Sequence, residues 1–459
     1  MLSNEMPTLE SVSHALSTGQ TTAQTLTEQA LAKAESTEGA VVFTRLFKDQ
    51  AIAQAKASDL LRQAGCVRSE LDGIPISIKD LFDVHGYVTR AGSVVLASSE
   101  PATHDATIVS RLKQAGAIII GTTNMTEFAY SGLGLNPHYG TPLSHWDKET
   151  GRISGGSSSG AAVSIVQGMA VASVGTDTGG SVRIPAAYCG LVGYKPTASR
   201  IDMAGTIPLS QSLDSIGPIT TSVRSCAWLG DILAGEAIKP LQSAKLDGLR
   251  LGVPNQLVMN DLDDSVCHTF ALACEALSQA GVEVLTIDLP EFDELASINA
   301  AGGFTAAESW AWHQSLMATH EKEYDPRVSS RIKRGQDLSA RYLIDLKRQR
   351  MDWISRVTKK IEAFDALVMP TVPMIAPALA PLLADDDLYA KTNLLALRNP
   401  SVINFLDGCA VSLPCHAPGE APVGLMLAAG NQCDATLLQI ALAVEESLAS
   451  TIRLHVPHD

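Results

Sequence analysis

Nothing in the 459 residues approaches the run of about 18 to 20 apolar side chains that a membrane span requires, and the longest uncharged apolar stretches are broken by glycine. The opening MLSNEMPTLESVSHALSTGQ lacks the basic-then-apolar pattern of a secretory leader, so the expected location is cytoplasmic. Positive charge is scarce: 34 Lys and Arg stand against 49 Asp and Glu, a formal net charge of −15. That balance argues against a nucleic-acid or anionic-membrane partner. The eight cysteines contain no C-x-x-C pair, and no Cys/His group has zinc-ligand spacing. They are expected to be reduced, mostly buried small hydrophobes. There is no H-E-x-x-H and no G-x-x-x-x-G-K-[ST], and Gly132-Leu133-Gly134 lacks the third glycine of a dinucleotide loop. No metal and no cofactor is therefore expected.

What is present alternates. Residues 11–63 place Leu16, Leu26, Ala30 and Leu31, then Ala53, Ala57, Leu60 and Leu61, at largely helical spacing. GIPISIKD at 73–80 and AIIIGTT at 117–123 are predicted strands, the second preceded by a helix. The alternation returns at 249–254, 264–280, 282–290 and 366–370, which implies one α/β domain. Its expected parts are an N-terminal helical lead-in (1–66), a central portion (67–235) and a remainder (236–459). Residues 236–248 and 378–388 are the expected surface connections. A charged helix is expected at about 337–362, with one face in solvent.

Residues 151–200 hold ten of the 35 glycines and eight serines, with only five charged side chains. Two Gly-Ser clusters, GGSSSG at 155–160 and DTGGS at 177–181, flank a short apolar helix and strand. Glycine at such density lets backbone N–H groups converge without hindrance from Cβ atoms. A flexible linker is a poor reading, because the intervening AAVSIVQGMAVASV is apolar. Gly156 to Gly160 also fits the G-x-S-x-G elbow with Ser158 at its centre, but the elbow needs a buried strand before it and 145–153 is polar.

A serine nucleophile needs a base, and His138 and His145 lie upstream without a partner motif. Lys79 remains. Ile74, Ile76 and Ile78 alternate before it, so a strand would aim Lys79 to the opposite face with Pro75 and Ser77. It either ends a strand at the surface, snorkelling or pairing with Asp80, or lies buried beside hydroxyls where its amine loses its proton easily enough to act as a base. Ser–Lys pairs are an established substitute for the Ser–His–Asp triad.

GIPISIKD, GGSSSG and GTDTGGSVRIPAAYCGLVGYKPT together resemble the amidase signature family, whose motif joins GGSS[GS]G to a D-x-[GA]-G-S-x-R-x-P block 24 residues further on. Ser157 and Ser181 have that spacing. TNMTEF at 123–128, DSIGPIT at 214–220, MPTVPMIAP at 369–377, SLPC and PVGLML resemble further family landmarks in order. The resemblance implies a central mixed β-sheet sandwiched by helices, and hydrolysis of a C–N amide-type bond through a seryl acyl-enzyme. It assigns Ser181 as nucleophile, Ser157 as bridging serine on a cis Gly156–Ser157 peptide, and Lys79 as base. It implies an oxyanion hole from the backbone N–H groups of Thr178, Gly179, Gly180 and Ser181. Asp177 and Arg183 would brace this turn by a mutual ion pair, with Ser158 and Ser159 supporting. Ser159 departs from the glycine many members carry.

For the substrate, the family's entrance positions are Met125, Phe128, Tyr130, Leu133 and Ile184, unless these are simply core. None is cationic, so neutral amides, anilides or carbamates with apolar groups are expected over carboxylated ones. The expected partner is that small molecule, with a homodimer as the candidate assembly. Two other functions fit the resemblance: the amide-hydrolysing subunit of a glutamine-dependent amidotransferase complex, and a non-catalytic binding descendant.

Overall fold

The computed structural model describes residues 6–454. Eleven strands form one mixed sheet: β1 (Phe43–Leu46), β2 (Pro75–Lys79), β3 (Ile118–Thr123), β4 (Ala172–Asp177), β5 (Val192–Lys195), β6 (Ser215–Thr220), β7 (Arg250–Pro254), β8 (Glu283–Ile287), β9 (Ala366–Pro370), β10 (Cys409–Pro414) and β11 (Gly424–Ala429). They lie in the order β1-β3-β2-β4-β6-β5-β10-β11-β9-β7-β8. β2 runs parallel to β3 and β4, and β7 parallel to β8 and β9. The remaining neighbours are antiparallel. Helices cover the sheet, and every residue of β2, β3 and β4 is buried, as strands covered on both faces must be.

The strands expected at 73–80, 117–123, 249–254, 282–290 and 366–370 all form. Helix Ala340–Ile361 turns Leu346, Trp353, Val357 and Ile361 inward at spacings of seven and four and leaves most of its charged side chains outside, Arg350 being half-buried and donating to the Ser212, Asn404 and Phe405 carbonyls. Two expectations need correction. The lead-in is not wholly helical: between helices Ala23–Ala34 and Lys48–Gln63, β1 pairs antiparallel with β3. Four residues are too few for a period-two pattern to stand out from flanking helices. Residues 378–388 are also not a plain connection. They form helix Leu379–Ala384 and the start of helix Asp386–Phe405, because Asp385 accepts the N–H groups of Asp387 and Leu388 as an N-cap. An acidic cluster read as loop is here a helix beginning.

Three hydroxyls fix the middle of the sheet. Ser77 of β2 lies 2.9 Å from Ser164 on helix Ser159–Val166 and 2.8 Å from Ser173 of β4, all fully buried. A satisfied polar cluster of this kind sets strand register and helix position together. Gly160 lets that helix approach: a Cβ there would lie 2.4 Å from the Val42 carbonyl oxygen and 2.7 Å from that of Asn124. Lys79 and the Gly-Ser clusters are built on this support.

Candidate active site

Lys79 closes β2, and its side chain is fully buried. Its Nζ donates to Ser157 Oγ at 2.7 Å and to Thr176 Oγ1, on β4, at 2.8 Å. Both acceptors are neutral hydroxyls. Loss of water therefore pulls the amine down from its usual range to about 7, while the charges of Asp214 and Asp177 resist that fall. Asp80 is not its ion-pair partner: that carboxylate accepts the Gly92 N–H, and burial pushes it up to about 6.

The Gly156–Ser157 peptide is cis. The serine turn is held from outside by the stretch after β3, where the Thr126 N–H donates to the Ser157 carbonyl at 3.0 Å and the Gly132 carbonyl accepts from Gly156 N–H at 2.9 Å. Ser158 N–H donates to the Ser181 carbonyl at 3.3 Å, tying the two Gly-Ser clusters to each other. Its hydroxyl donates to the Thr176 carbonyl and is buried, which is not the exposed nucleophile an elbow would present. Ser159 Oγ, at the first residue of its helix, has no hydrogen-bond partner among the described residues.

The Asp177–Arg183 turn is built around a bidentate pair. Arg183 Nε donates to Asp177 Oδ2 at 3.0 Å and Nη2 to Oδ1 at 2.8 Å, both side chains being fully buried. Asn404 joins them: its Nδ2 donates to Asp177 Oδ1 at 2.9 Å and its Oδ1 accepts from Arg183 at 2.6 Å. The guanidinium overrides burial and holds the Asp177 carboxyl far below the carboxylate range. The four consecutive donors expected of this turn reduce to three. Gly180 N–H points back to Asp177 Oδ1 at 2.8 Å, whereas the N–H groups of Thr178, Gly179 and Ser181 donate to no acceptor among the described residues. Gly180 has φ +120°, and a Cβ there would stand 2.6 Å from Pro400 and 2.7 Å from Ile184.

Three contributors escaped sequence reasoning. Thr176 and Asn404 lie outside the motif positions that carry named roles. Asp214 begins the DSIGPIT landmark without a role attached to it. It accepts from Thr178 Oγ1 at 2.5 Å and from the N–H groups of Leu209 and Ser210 at 3.0 Å. Burial nonetheless pushes its carboxyl up to about 6.

Of the five expected entrance residues, four turn inward. Met125 and Phe128 join the core under the first half of the sheet, and Phe128 packs on His313 and Tyr324 with ring centroids 4.4 and 5.3 Å away. Leu133 and Ile184 pack with Tyr188 and Tyr389. Apolar side chains next to a polar-anchored loop have the core as their sink. Only Tyr130 is half-buried, and its carbonyl accepts from Arg331.

Burial brings the Lys79 amine down to about 7, which makes its expected role as base testable by pH. With Lys79 as the proposed base, kcat/KM is expected to rise about tenfold in all between pH 6 and 8, to approach tenfold per pH unit only below about pH 6, and to level off above about pH 8. Lys79→Met is expected to abolish that limb. A profile falling from acid to neutral pH would contradict the assignment.

Residues 25–438 match the family model described as Amidase. The chain is 35% identical over 394 residues to 2-amino-5-chloromuconic acid deaminase of Comamonas testosteroni, covering 85% of each chain. It is 33% identical to the AtzE subunit of 1-carboxybiuret hydrolase from Pseudomonas sp. (strain ADP), covering 96% of this chain and 98% of the relative. A glutamyl-tRNA(Gln) amidotransferase subunit of Chloroflexus aggregans is 33% identical over 95% of this chain and 96% of its own. A crystal structure of an amidase superposes with a TM-score of 0.87 at 31% identity, covering 96% of this chain and 99% of that one. No helix among the described residues is long and apolar enough to cross a membrane. The chain belongs to the amidase family and is an enzyme whose relatives act on C–N bonds.

Proposed function

We propose that this protein hydrolyses an amide-type C–N bond through an acyl-enzyme on Ser181, with Ser157 relaying protons to and from Lys79. The observation that carries this reading is the buried 2.7 Å contact from Lys79 Nζ to Ser157 Oγ, made by an amine whose affinity for a proton is lowered to near neutrality. Ser181 Oγ attacks the carbonyl carbon as its proton passes to Ser157 Oγ and the proton of Ser157 passes to Lys79 Nζ. The resulting oxyanion takes up the unpaired N–H groups of Thr178, Gly179 and Ser181. The relay then reverses: Lys79 returns its proton through Ser157 to the leaving nitrogen, and the C–N bond breaks. Water, deprotonated by the same relay, attacks the ester carbon and releases the acid and free Ser181.

Among the relatives, two have names that specify carboxyl-bearing compounds and one belongs to an amidotransferase. The purified chain, with no second protein, is expected to release ammonia or aniline from a short amide or anilide. Release that requires an added partner chain would favour the amidotransferase role. No release under either condition, with the fold intact, would favour a binding descendant.

A further inference from the structure

The three uncommitted N–H groups of the serine turn are held in different ways. Ser181 is fixed through its carbonyl, which accepts the Ser158 N–H at 3.3 Å, and Gly179 through its carbonyl, which accepts from Ser401 Oγ at 3.4 Å. Thr178 is tied by its side chain instead: its Oγ1 donates to Asp214 Oδ1 at 2.5 Å, with both side chains buried. That oxygen sits on a branched Cβ, so fixing it fixes χ1 and with it the direction in which the main chain leaves β4.

The sheet sets Asp214 in its place. Ser215, the first residue of β6, pairs with Asp177, the last of β4, and Ser215 Oγ donates to the Asp177 carbonyl at 3.0 Å. The strands are antiparallel, so the next residues outward, Asp214 and Thr178, face each other where the two strands end. The turn before Asp214 closes around its carboxylate: the N–H groups of Leu209 and Ser210 donate to Oδ2 at 3.0 Å, and Asp214 N–H returns to the Ser210 carbonyl at 2.8 Å. A second carboxylate clamps this turn from outside. Glu308, on helix Gly303–His320, accepts from Ser210 Oγ at 2.6 Å and from the Ser212 N–H and Oγ at 3.0 and 2.5 Å. Arg350 donates to the Ser212 carbonyl at 2.9 Å from a third element.

Charge alone gives this acid no reason to be there. A carboxylate touching Thr178 opposes the negative charge that grows on a substrate oxygen beside the Thr178 N–H, and its burial is costly. What a carboxylate supplies is acceptor directions enough for a hydroxyl and two N–H groups at once. We propose that Asp214 is a positioning residue for the oxyanion hole: braced by Glu308, it fixes Thr178 so that its N–H, with those of Gly179 and Ser181, points at the scissile carbonyl oxygen as that oxygen becomes negative. The proposal rests on the acyl-enzyme reading above.

Two compounds with the same propyl group form the test. p-Nitrobutyranilide reports turnover. 1,1,1-Trifluoropentan-2-one takes up the nucleophile: the Ser181 Oγ–C bond forms, the carbonyl π pair passes to oxygen and the serine proton passes to the relay, so the hemiketal oxygen sits where the oxyanion would. Thr178→Val, similar in shape without the hydroxyl, is expected to lower kcat for the anilide and affinity for the ketone together, each by about 10- to 100-fold, with KM within about twofold of wild type. Thr178→Ser keeps the hydroxyl and is expected to recover most of both. Asp214→Asn cannot accept from Thr178 and from both N–H groups at once; it is expected to lower kcat and ketone affinity in the same direction, and it answers the question if Thr178→Val does not fold. Were the carboxylate only a charge beside the site, Asp214→Asn would raise both instead, and the proposal would fall. Ketone affinity unchanged in Thr178→Val and Asp214→Asn, a loss confined to KM, or Thr178→Ser no better than Thr178→Val would also overturn it. Fluorine NMR separates this from failure of the reading beneath. A wild type that forms no hemiketal dependent on Ser181 would overturn the acyl-enzyme reading and the proposal together, whereas a Ser181-dependent hemiketal indifferent to Thr178 and Asp214 overturns the proposal alone.

Discussion

Replacing Ser181 by alanine is expected to lower kcat/KM on the order of 10⁴-fold or more, since members of a catalytic triad act as a unit and the remaining groups have no nucleophile to serve. Folding should be little affected. The contacts that hold the turn come from the Ser181 carbonyl, which accepts the Ser158 N–H, and from Asp177 and Arg183, none of which uses the Ser181 hydroxyl. Ser157→Ala should lose less than Ser181→Ala, because the nucleophile remains and only its path to Lys79 is cut. Equal thermal midpoints with a large loss in Ser181→Ala, and a smaller one in Ser157→Ala, fit a relay. Ser157→Ala matching wild type would remove the relay, and Ser181→Ala retaining even a hundredth of the activity would remove the nucleophile.

The largest effect on stability is expected at the pair beneath the turn. Arg183→Met removes the cation that holds the Asp177 carboxyl far below the usual range while leaving that carboxylate fully buried. Breaking a buried ion pair by removing one partner costs about 3 to 5 kcal/mol. The sign of the pH dependence follows from the direction of the shift. In wild type the Asp177 carboxyl is depressed, so its stabilising contribution is present above the unfolded carboxylate range, near pH 4, and fades only as pH falls through its much lower folded value. In the variant, burial acts without the cation and raises the carboxyl, so protonation relieves the unpaired charge. Urea unfolding is expected to show a larger deficit at pH 8 than at pH 5. An equal deficit at both values would mean that the Asn404 amide and the N–H groups of Gly180 and Val182 already suffice for the charge.

How far the sequence alone reaches is clearest from individual residues. β2 and β4 were legible because a β-branched run and a Gly-Ser boundary mark them locally; Ser157 and Ser181 stood out because two motifs lie 24 apart, and Lys79 because it ends the GIPISIKD run. β1 was hidden by its length. Asp385 was hidden because a capping carboxylate and a loop carboxylate have the same letter. Asn404 reaches Asp177 from 227 positions away, and no local pattern announces such a contact. The commitment of Gly180 N–H to Asp177 is a matter of backbone direction, which composition does not encode. The apolar residues after β3 pointed to an entrance wall, yet Met125, Phe128 and Leu133 pack inward.

A fluorophosphonate of small size, reacted with the purified protein and mapped by tandem mass spectrometry, reports directly on which hydroxyl is activated. One adduct is expected, on Ser181, forming faster as pH rises through about 7 and suppressed in Lys79→Met, because the proposed relay activates the serine through Ser157 by the neutral amine. An adduct on Ser158 or on another serine, or labelling of Ser181 that proceeds at the same rate in Lys79→Met, would contradict the Ser181–Ser157–Lys79 assignment.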